Sequence, residues 1–109
     1  MSVIKDLTPQ RFDQRINNTP LEPFAVECYG DHCSACAVLE RLLKQMIEAG
    51  EIALPVFKIN VDEHPAFAKR LGIKGLPTLI AVKADATTQS TLAMPNRSMI
   101  EKFFRSACA

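Results

Sequence analysis

The stretch that decides the fold runs Phe24-Ala25-Val26-Glu27-Cys28-Tyr29-Gly30-Asp31-His32-Cys33-Ser34-Ala35-Cys36. Its largely apolar first part, from Phe24 to Tyr29, predicts a buried strand that Gly30 ends. A longer helix is predicted from about Cys33 to Ala49, because apolar side chains recur there at helical spacing and Gly50 offers a C-terminal stop. A strand that turns directly into a helix is typical of an α/β fold.

The segments on either side continue this alternation of strands and helices. Thr8 and Pro9 predict the start of a first helix, as its N-cap and first helical residue, and residues 17–20 end it. The remaining predicted elements are strands over residues 55–61, 78–83 and, more weakly, 87–93, and helices over residues 65–71 and from Asn96 or Ser98 to about Ala107.

The composition bounds the class of protein. The chain has 109 residues, of which 48% are hydrophobic and 23% are charged, and this is typical of one globular domain spanning residues 1–109. Thirteen basic and twelve acidic residues leave a formal net charge of +1, so neither nucleic acid nor a membrane is an expected partner. No apolar run approaches the length of about 18 residues that crosses a bilayer. The first residues lack the layout of a secretory signal, which favours the cytoplasm.

Four cysteines are present, at positions 28, 33, 36 and 108. This number is below the density of disulfide-stapled scaffolds, and closely spaced cysteines in a reducing compartment indicate redox chemistry or metal binding instead. Cys33 and Cys36 lie on a first helical turn, where the partial positive charge and free N–H groups of a helix N-terminus stabilise a thiolate. We therefore expect Cys33 to be the exposed nucleophile and Cys36 to resolve the mixed disulfide.

A metal site is the alternative from a different class. The order Cys28-x4-Cys33-x2-Cys36 with the distant Cys108 matches the plant-type spacing of iron–sulfur ligands, and His32 with these cysteines could bind zinc. Against both, Cys28 lies in a predicted buried strand rather than on a ligand loop. Cys28 is instead expected to be an inert buried thiol, and Cys108 an exposed bystander near the terminus. No metal is expected.

Three segments in order resemble the thioredoxin family along nearly the whole chain. They are the stretch from Phe24 to Cys36, then Phe57-Lys58-Ile59-Asn60-Val61-Asp62-Glu63-His64-Pro65, and then Leu71-Gly72-Ile73-Lys74-Gly75-Leu76-Pro77-Thr78, which is similar to the family's Gly-Ile-x-x-x-Pro-Thr signature. The resemblance implies the thioredoxin fold, a central mixed sheet of about five strands flanked by about four helices. It also implies dithiol–disulfide exchange with disulfide-containing protein substrates, without a bound cofactor. We expect a monomer that receives electrons from a thioredoxin reductase or another donor.

The resemblance also implies how substrates bind. Pro77 takes the place of the family's cis-proline facing the cysteines, and the backbone at Gly75, Leu76 and Pro77 would dock an extended substrate chain by strand-like pairing. A trans proline that starts the strand is the alternative. Ala93 falls where the family usually has a groove-lining glycine, so its methyl group either narrows the groove or is simply that of a strand residue. The other residues expected to contact substrate lie in and beside the cysteine loop: His32, Ser34 and Ala35.

Glu27 is an acidic residue in an otherwise apolar strand. The resemblance places it where thioredoxins have a buried Asp, and it places Lys58 where they have a partner lysine. Because burial raises the pKa of a carboxyl group, Glu27 would accept a proton from Cys36, with Lys58 tuning it. A surface salt bridge between Glu27 and Lys58 is the alternative.

The cysteine loop departs from the family pattern. The family's Trp-Cys-Gly-Pro-Cys is replaced by His32-Cys33-Ser34-Ala35-Cys36, which leaves the direction of electron flow open. A protonated His32 would favour the Cys33 thiolate and make the pair more oxidising, or His32 is a solvated loop residue. Arg41 stands in the place of the family's helix-kinking proline, which predicts a straighter helix. These departures leave a second function open, a dedicated thioredoxin-like binding or assembly module with little general reductase activity.

Overall fold

A central sheet organises the structure. The computed structural model describes residues 3–92 and 96–108, and the strands within them are β1 (Lys5–Asp6), β2 (Phe24–Tyr29), β3 (Val56–Asn60), β4 (Thr78–Val82) and β5 (Thr88–Leu92). The helices in the same residues are α1 (Pro9–Ile16), α2 (Ser34–Glu48), α3 (Pro65–Arg70) and α4 (Arg97–Ala107). None of these helices is long and apolar enough to cross a membrane. The alternation of strands and helices confirms the predicted α/β class.

Strand β2 lies at the centre of the sheet, whose strand order is β1-β3-β2-β4-β5. It runs parallel to β3 and antiparallel to β4, and β5 pairs antiparallel with β4 at one edge. In this register, Glu27 of β2 lies between Lys58 on β3 and Leu79 on β4. The sheet is therefore mixed, as predicted, and it places an acidic and a basic residue side by side.

Alternate side chains of the sheet divide between two apolar cores, one on each face. The first core packs against α2 and α4, and its buried side chains include Ala25, Leu39, Leu43, Leu79 and Phe103. The second core packs against α1 and α3, and its buried side chains include Phe12, Phe24, Val26, Cys28 and Phe67. Because Glu27 alternates with Val26 and Cys28, its side chain points to the α2 face.

The predicted cap of α1 is confirmed, and the alternative cap considered for α4 is the one that the structure shows. The Thr8 hydroxyl oxygen accepts a hydrogen bond from the backbone N–H of Arg11 at 3.1 Å, at the start of α1. The side-chain oxygen of Asn96 accepts from the backbone N–H of Met99 at 3.1 Å. Asn96 rather than Ser98 therefore caps α4. Helix α2 continues without a break through Arg41.

Strand β1 is an element that the sequence patterns do not predict. It consists of Lys5 and Asp6, both exposed, and it pairs in parallel with Phe57 and Lys58 on β3. Two polar residues carry no periodicity, so this strand is defined by its pairing in the folded sheet rather than by local preference. At the other edge, β5 ends at Leu92, and the predicted final strand residue, Ala93, lies outside the described residues.

Candidate active site

Cys33 and Cys36 form a disulfide bond at the N-terminus of α2. Cys33 is the N-cap residue, and its Sγ accepts a hydrogen bond from the backbone N–H of Cys36, with sulfur and nitrogen 3.2 Å apart. Cys36 is 4% exposed, whereas Cys33 is half-buried. A reaction partner therefore reaches the Cys33 sulfur more readily, at a position where the helix N-terminus stabilises a thiolate.

Hydrogen bonds fix the loop between β2 and Cys33 to the end of β3. The Asp62 carboxylate accepts from the backbone N–H of Asp31 at 2.8 Å, and the Asn60 side-chain amide donates to the Asp31 carboxylate at 2.7 Å. The side-chain oxygen of Asn60 accepts from the backbone N–H of Asp62 at 2.9 Å. Asn60 is buried, and a buried amide bonded at both ends has little freedom to move. This network holds the start of the cysteine loop in place.

The loop that precedes β4 packs against the same region. The peptide bond between Leu76 and Pro77 is cis, as the resemblance implies. The Thr78 hydroxyl donates to the Gly75 carbonyl oxygen at 2.7 Å and so closes this loop. A Cβ at Gly30 would lie 2.8 Å from Cδ1 of Leu76, so a side chain there would require Leu76 to shift. The residue before Pro77 therefore contacts the start of the cysteine loop.

A cavity of about 260 Å³ connects the disulfide with Glu27. The side chains that line it include Glu27, Tyr29, Asp31, Cys33, Cys36 and Glu40. Glu27 is 1% exposed, which rules out the alternative of a surface salt bridge. Burial raises the pKa of Glu27 from 4.5 to about 8, the negative charge of Glu40 adds to this effect, and the positive charge of Lys58 opposes it. A carboxyl group with this pKa takes up and releases protons near neutral pH.

Lys58 donates its hydrogen bond to Glu40 rather than to Glu27, with Nζ and Oε1 3.1 Å apart. The other carboxylate oxygen of Glu40 pairs with Lys44 at 3.1 Å. Burial alone would raise the pKa of Glu40, but the hydrogen bonds from Lys58 and Lys44 hold it below its usual value. The sequence reasoning missed Glu40. Its signal is the spacing, since Cys36, Glu40 and Lys44 recur every four residues and share one face of α2.

Comparison with known proteins agrees with this geometry. The family model for thioredoxin matches residues 3–106. The chain belongs to the thioredoxin family. It is 35% identical over 79 residues to the thioredoxin of Thiocapsa roseopersicina, which covers 71% of this chain and 84% of the relative. It is 27% identical over 97 residues to the thioredoxin of Pyropia yezoensis, with 89% of this chain and 90% of the relative covered.

Solved thioredoxin structures share the fold. Chloroplastic thioredoxin z matches with a TM-score of 0.79 at 24% identity, over 95% of this chain and 93% of that one. The oxidised form of mitochondrial thioredoxin 3 from Saccharomyces cerevisiae matches with a TM-score of 0.78 at 24% identity, over 97% and 99% of the two chains. The mixed five-stranded sheet and four helices of the described residues are thus the thioredoxin fold, as predicted.

The other residues that the thioredoxin resemblance places at the site lie around the cysteine loop. His32 and Ser34 are exposed, and Ala35 is half-buried between the two cysteines in sequence. Ala93, expected in the substrate groove, lies outside the described residues. The contacts of all four residues with substrate stay predictions.

The remaining two cysteines lie apart from the disulfide of this thioredoxin-family protein. Cys28 is buried in the core formed with α1 and α3, and burial raises the pKa of its thiol to about 12. Cys108 is exposed at the end of α4. Within residues 3–92 and 96–108, no three side chains of His, Cys, Asp or Glu are arranged to hold a metal ion. The spacing that suggested iron–sulfur ligands therefore does not gather these cysteines into one site.

Proposed function

We propose that this protein is a thiol–disulfide oxidoreductase that reduces disulfides in protein substrates through the Cys33/Cys36 dithiol. One observation carries the proposal: the disulfide lies at a helix N-terminus and shares a cavity with the buried carboxyl group of Glu27. Membership of the thioredoxin family supports the same reaction.

The reduced protein attacks its substrate with Cys33. The Cys33 thiolate, stabilised by the N-terminus of α2, bonds to one sulfur of the substrate disulfide, and the other substrate sulfur leaves as a thiolate. Cys36 then attacks the Cys33 sulfur, which forms the Cys33–Cys36 bond and releases the second substrate thiolate. Two electrons pass from the dithiol to the substrate. The disulfide in the structure is the oxidised product of this cycle.

Glu27 exchanges the proton that Cys36 loses and regains. The Cys36 thiol must lose its proton before it attacks, and Glu27 is a carboxyl group that lines the same cavity. Because burial raises its pKa to about 8, Glu27 holds a proton near neutral pH while the disulfide is closed. It gives this proton to Cys36 when a donor opens the disulfide, and as a carboxylate it takes the proton back before Cys36 attacks. The positive charge of Lys58 lowers the pKa of Glu27, although the Lys58 ammonium donates its hydrogen bond to Glu40.

The substrate chain docks along the loop that ends at Pro77. The backbone of Gly75, Leu76 and Pro77 pairs with it in the manner of a strand, which gives broad recognition of extended chains. The contact of Leu76 with Gly30 supports this placement, because it brings the docking loop against the cysteine loop. Three further side chains surround the docked substrate: His32, Ser34 and Ala35.

The proposal extends to the setting in which the protein works. Residues 1–109 act as one domain and as a monomer in the cytoplasm, a reducing compartment that keeps dithiols supplied with electrons. The electron donor is a thioredoxin reductase or another dithiol donor, and the substrates are disulfide-bearing proteins. Neither nucleic acid nor a membrane takes part, and no cofactor is required for the exchange.

A dedicated binding or assembly module is the second candidate. The observation that favours it is the loop sequence, in which His32, Ser34 and Ala35 replace the family's Trp, Gly and Pro. These residues lie next to the cysteines in sequence. Their replacement can therefore restrict binding to one partner, or it can change the rate at which many substrates are reduced.

Insulin reduction driven by a thioredoxin reductase distinguishes the two candidates. We expect turnover by the wild type, loss of turnover in Cys33→Ser, and wild-type turnover in the Cys108→Ser control, which changes an exposed cysteine outside the site. A Cys36→Ser variant should trap mixed disulfides between Cys33 and many proteins. Absence of insulin reduction together with trapping of a single protein would support the module and contradict the reductase.

A further inference from the structure

Glu40 pairs with two lysines from two different elements. Its Oε1 lies 3.1 Å from Nζ of Lys58 on β3, and its Oε2 lies 3.1 Å from Nζ of Lys44 one turn further along α2. The side chains of Lys58 and Glu40 are 21% and 22% exposed, so solvent and salt screen this pair less than a fully exposed one. The Lys58 ammonium is therefore held against α2 by Glu40.

Glu27 lacks such a partner, although the register places it opposite Lys58. Its Oε2 is buried and makes no hydrogen bond within the described part of the chain. A buried carboxyl group without a cation at hydrogen-bond distance retains its proton, because burial disfavours the charged form. Glu27, Glu40 and Cys36 line the same cavity.

The charged groups that act on Glu27 come from two of the elements packed around it. Glu40 and Lys44 lie on α2, and Lys58 lies on β3. Strand β4 places the apolar Leu79 opposite Glu27, and the residues that α4 buries on this face are apolar as well. Of the three charged groups, Glu40 acts in three ways. Its negative charge and a side-chain hydrogen bond with Glu27 both raise the pKa of Glu27, and it accepts the hydrogen bond of Lys58.

We propose that Glu40 is a positioning residue that keeps the proton on Glu27, by anchoring the Lys58 ammonium away from it and by placing a second carboxylate at the cavity. This inference deepens the proposed function and rests on it, because Glu27 exchanges its proton with Cys36 only in that reaction. Glu40 itself stays ionised through the cycle, since two ammonium groups bind it. The proton is thus held on Glu27 while the disulfide is closed.

The proton on Glu27 has a defined destination. When a thiolate of the dithiol donor attacks the Cys33 sulfur, the Cys33–Cys36 bond breaks and Cys36 leaves with the electron pair as a thiolate. Glu27 transfers its proton to that sulfur, which yields a neutral thiol and a Glu27 carboxylate. In the opposite direction the proton returns to Glu27 before Cys36 attacks.

The test is the titration of Glu27 in the oxidised protein, followed by the ¹³C chemical shift of its carboxyl carbon. In Glu40→Gln and Glu40→Ala we expect the midpoint to fall by about one pH unit or more, which is a tenfold or larger rise in the acid dissociation constant. Glu48→Gln is the matched control, because Glu48 is an exposed glutamate on the same helix and its loss removes the same charge. This control should leave the Glu27 midpoint unchanged.

A double-mutant cycle tests the anchoring itself. Lys58→Met should raise the Glu27 midpoint only slightly in the wild type and more strongly in the Glu40→Ala background, where the ammonium is free to turn toward Glu27. Equal shifts in the two backgrounds would overturn the anchoring. If Glu40→Ala fails to fold, the same comparison in the Glu40→Met background replaces it, because methionine keeps the length of the side chain but has no oxygen to accept the Lys58 hydrogen bond.

Activity measurements separate this inference from the proposed function. In Glu40→Gln, the pH profile of insulin reduction should move to lower pH together with the Glu27 midpoint. A Glu27 midpoint that stays at its wild-type value in both Glu40 variants overturns the inference, whether or not the protein reduces insulin. A shifted midpoint in a protein that reduces no disulfide supports the effect of Glu40 and contradicts the proposed function.

Discussion

Glu27 and Cys36 line one cavity, beside the disulfide that Cys36 forms with Cys33. Glu27 is 1% exposed and Cys36 is 4% exposed, so bulk water has little access to either group. A proton that leaves Cys36 therefore has a carboxyl group within the same cavity to receive it. The rate of disulfide exchange and the free energy of unfolding should therefore both depend on the protonation of Glu27.

Replacing Glu27 by Gln removes the proton acceptor and keeps the size of the side chain. We expect insulin reduction to slow by at least about tenfold, since a positioned acid or base contributes on the order of 10²–10⁴-fold to a rate. The part of the pH profile that reports a pKa of about 8 should also vanish. Rates measured from about pH 6 to about pH 9 check this, and identical profiles for the two proteins would show that Glu27 takes no part.

The burial of Glu27 also makes stability depend on pH. The folded protein raises the pKa of this group from 4.5 to about 8, so between these values the folded state keeps a proton that the unfolded chain has lost. The free energy of unfolding then falls as the pH rises through this window, by at most about 1.4 kcal/mol per pH unit from this group. Urea unfolding at several pH values should show this slope in the wild type and lack it in Glu27→Gln. If Glu27→Gln retains the full wild-type slope of the free energy of unfolding against pH, a group other than Glu27 causes the pH dependence.

Gly30→Ala should destabilise the contact between the two loops of the site. A Cβ at this position would lie 2.8 Å from Cδ1 of Leu76 and 2.9 Å from the Asp62 carboxylate, which also accepts the Asp31 backbone hydrogen bond. Because both contacts are with ends of side chains, of which the Asp62 carboxylate is held by a hydrogen bond, we expect a loss of about 1 kcal/mol in the free energy of unfolding, at the low end of the cost of overpacking. Urea denaturation measures it.

Gly75→Ala is the control for this overpacking. A Cβ at Gly75 would meet Cδ1 of Leu92 at 3.0 Å, but Leu92 is 59% exposed and its side chain is free to move aside. We therefore expect a smaller loss of stability in Gly75→Ala than in Gly30→Ala. Equal losses would mean that the contact between Gly30 and Leu76 is not tightly packed.

The four cysteines should differ in their reaction with iodoacetamide. In the oxidised protein we expect alkylation of Cys108, which is exposed, and none of Cys28, which is buried and has a thiol pKa raised to about 12. After reduction, Cys33 should react next, ahead of the more buried Cys36. Mass spectrometry of the digested protein locates each adduct, and modification of Cys28 in the folded oxidised protein would contradict the assignment of its thiol as buried and inert.

Elements with strong local patterns could be predicted from the sequence. The apolar run of β2, the helical periodicity of α2 and the cap at Thr8 are properties of adjacent residues, and the structure places each where the sequence predicts it. Strand β1 could not be predicted, because the pairing of Lys5 and Asp6 with β3 depends on the folded sheet. The same local patterns predicted Cys33 and Cys36 as the reactive pair, but they did not predict which side chains surround the two cysteines.

The charge network at the site illustrates why the rest could not be predicted. The sequence suggested Lys58 as the partner of Glu27, and the two residues do lie side by side in the sheet. The hydrogen bond of Lys58 goes instead to Glu40, because α2 packs over this part of β2 and β3 and brings a second carboxylate within reach. Whether Lys58 donates to Glu27 or to Glu40 depends on the distances between β3, β2 and α2. These distances follow from tertiary packing.

The reduction potential of the Cys33/Cys36 couple decides whether this dithiol donates electrons to protein disulfides. Equilibration with mixtures of reduced and oxidised glutathione, followed by trapping of the free thiols, measures it. We expect a potential of about −270 mV, the value of a thioredoxin that acts as a reductant. A potential of about −120 mV, the value of a strong oxidant, would contradict the role of this dithiol as a reductant.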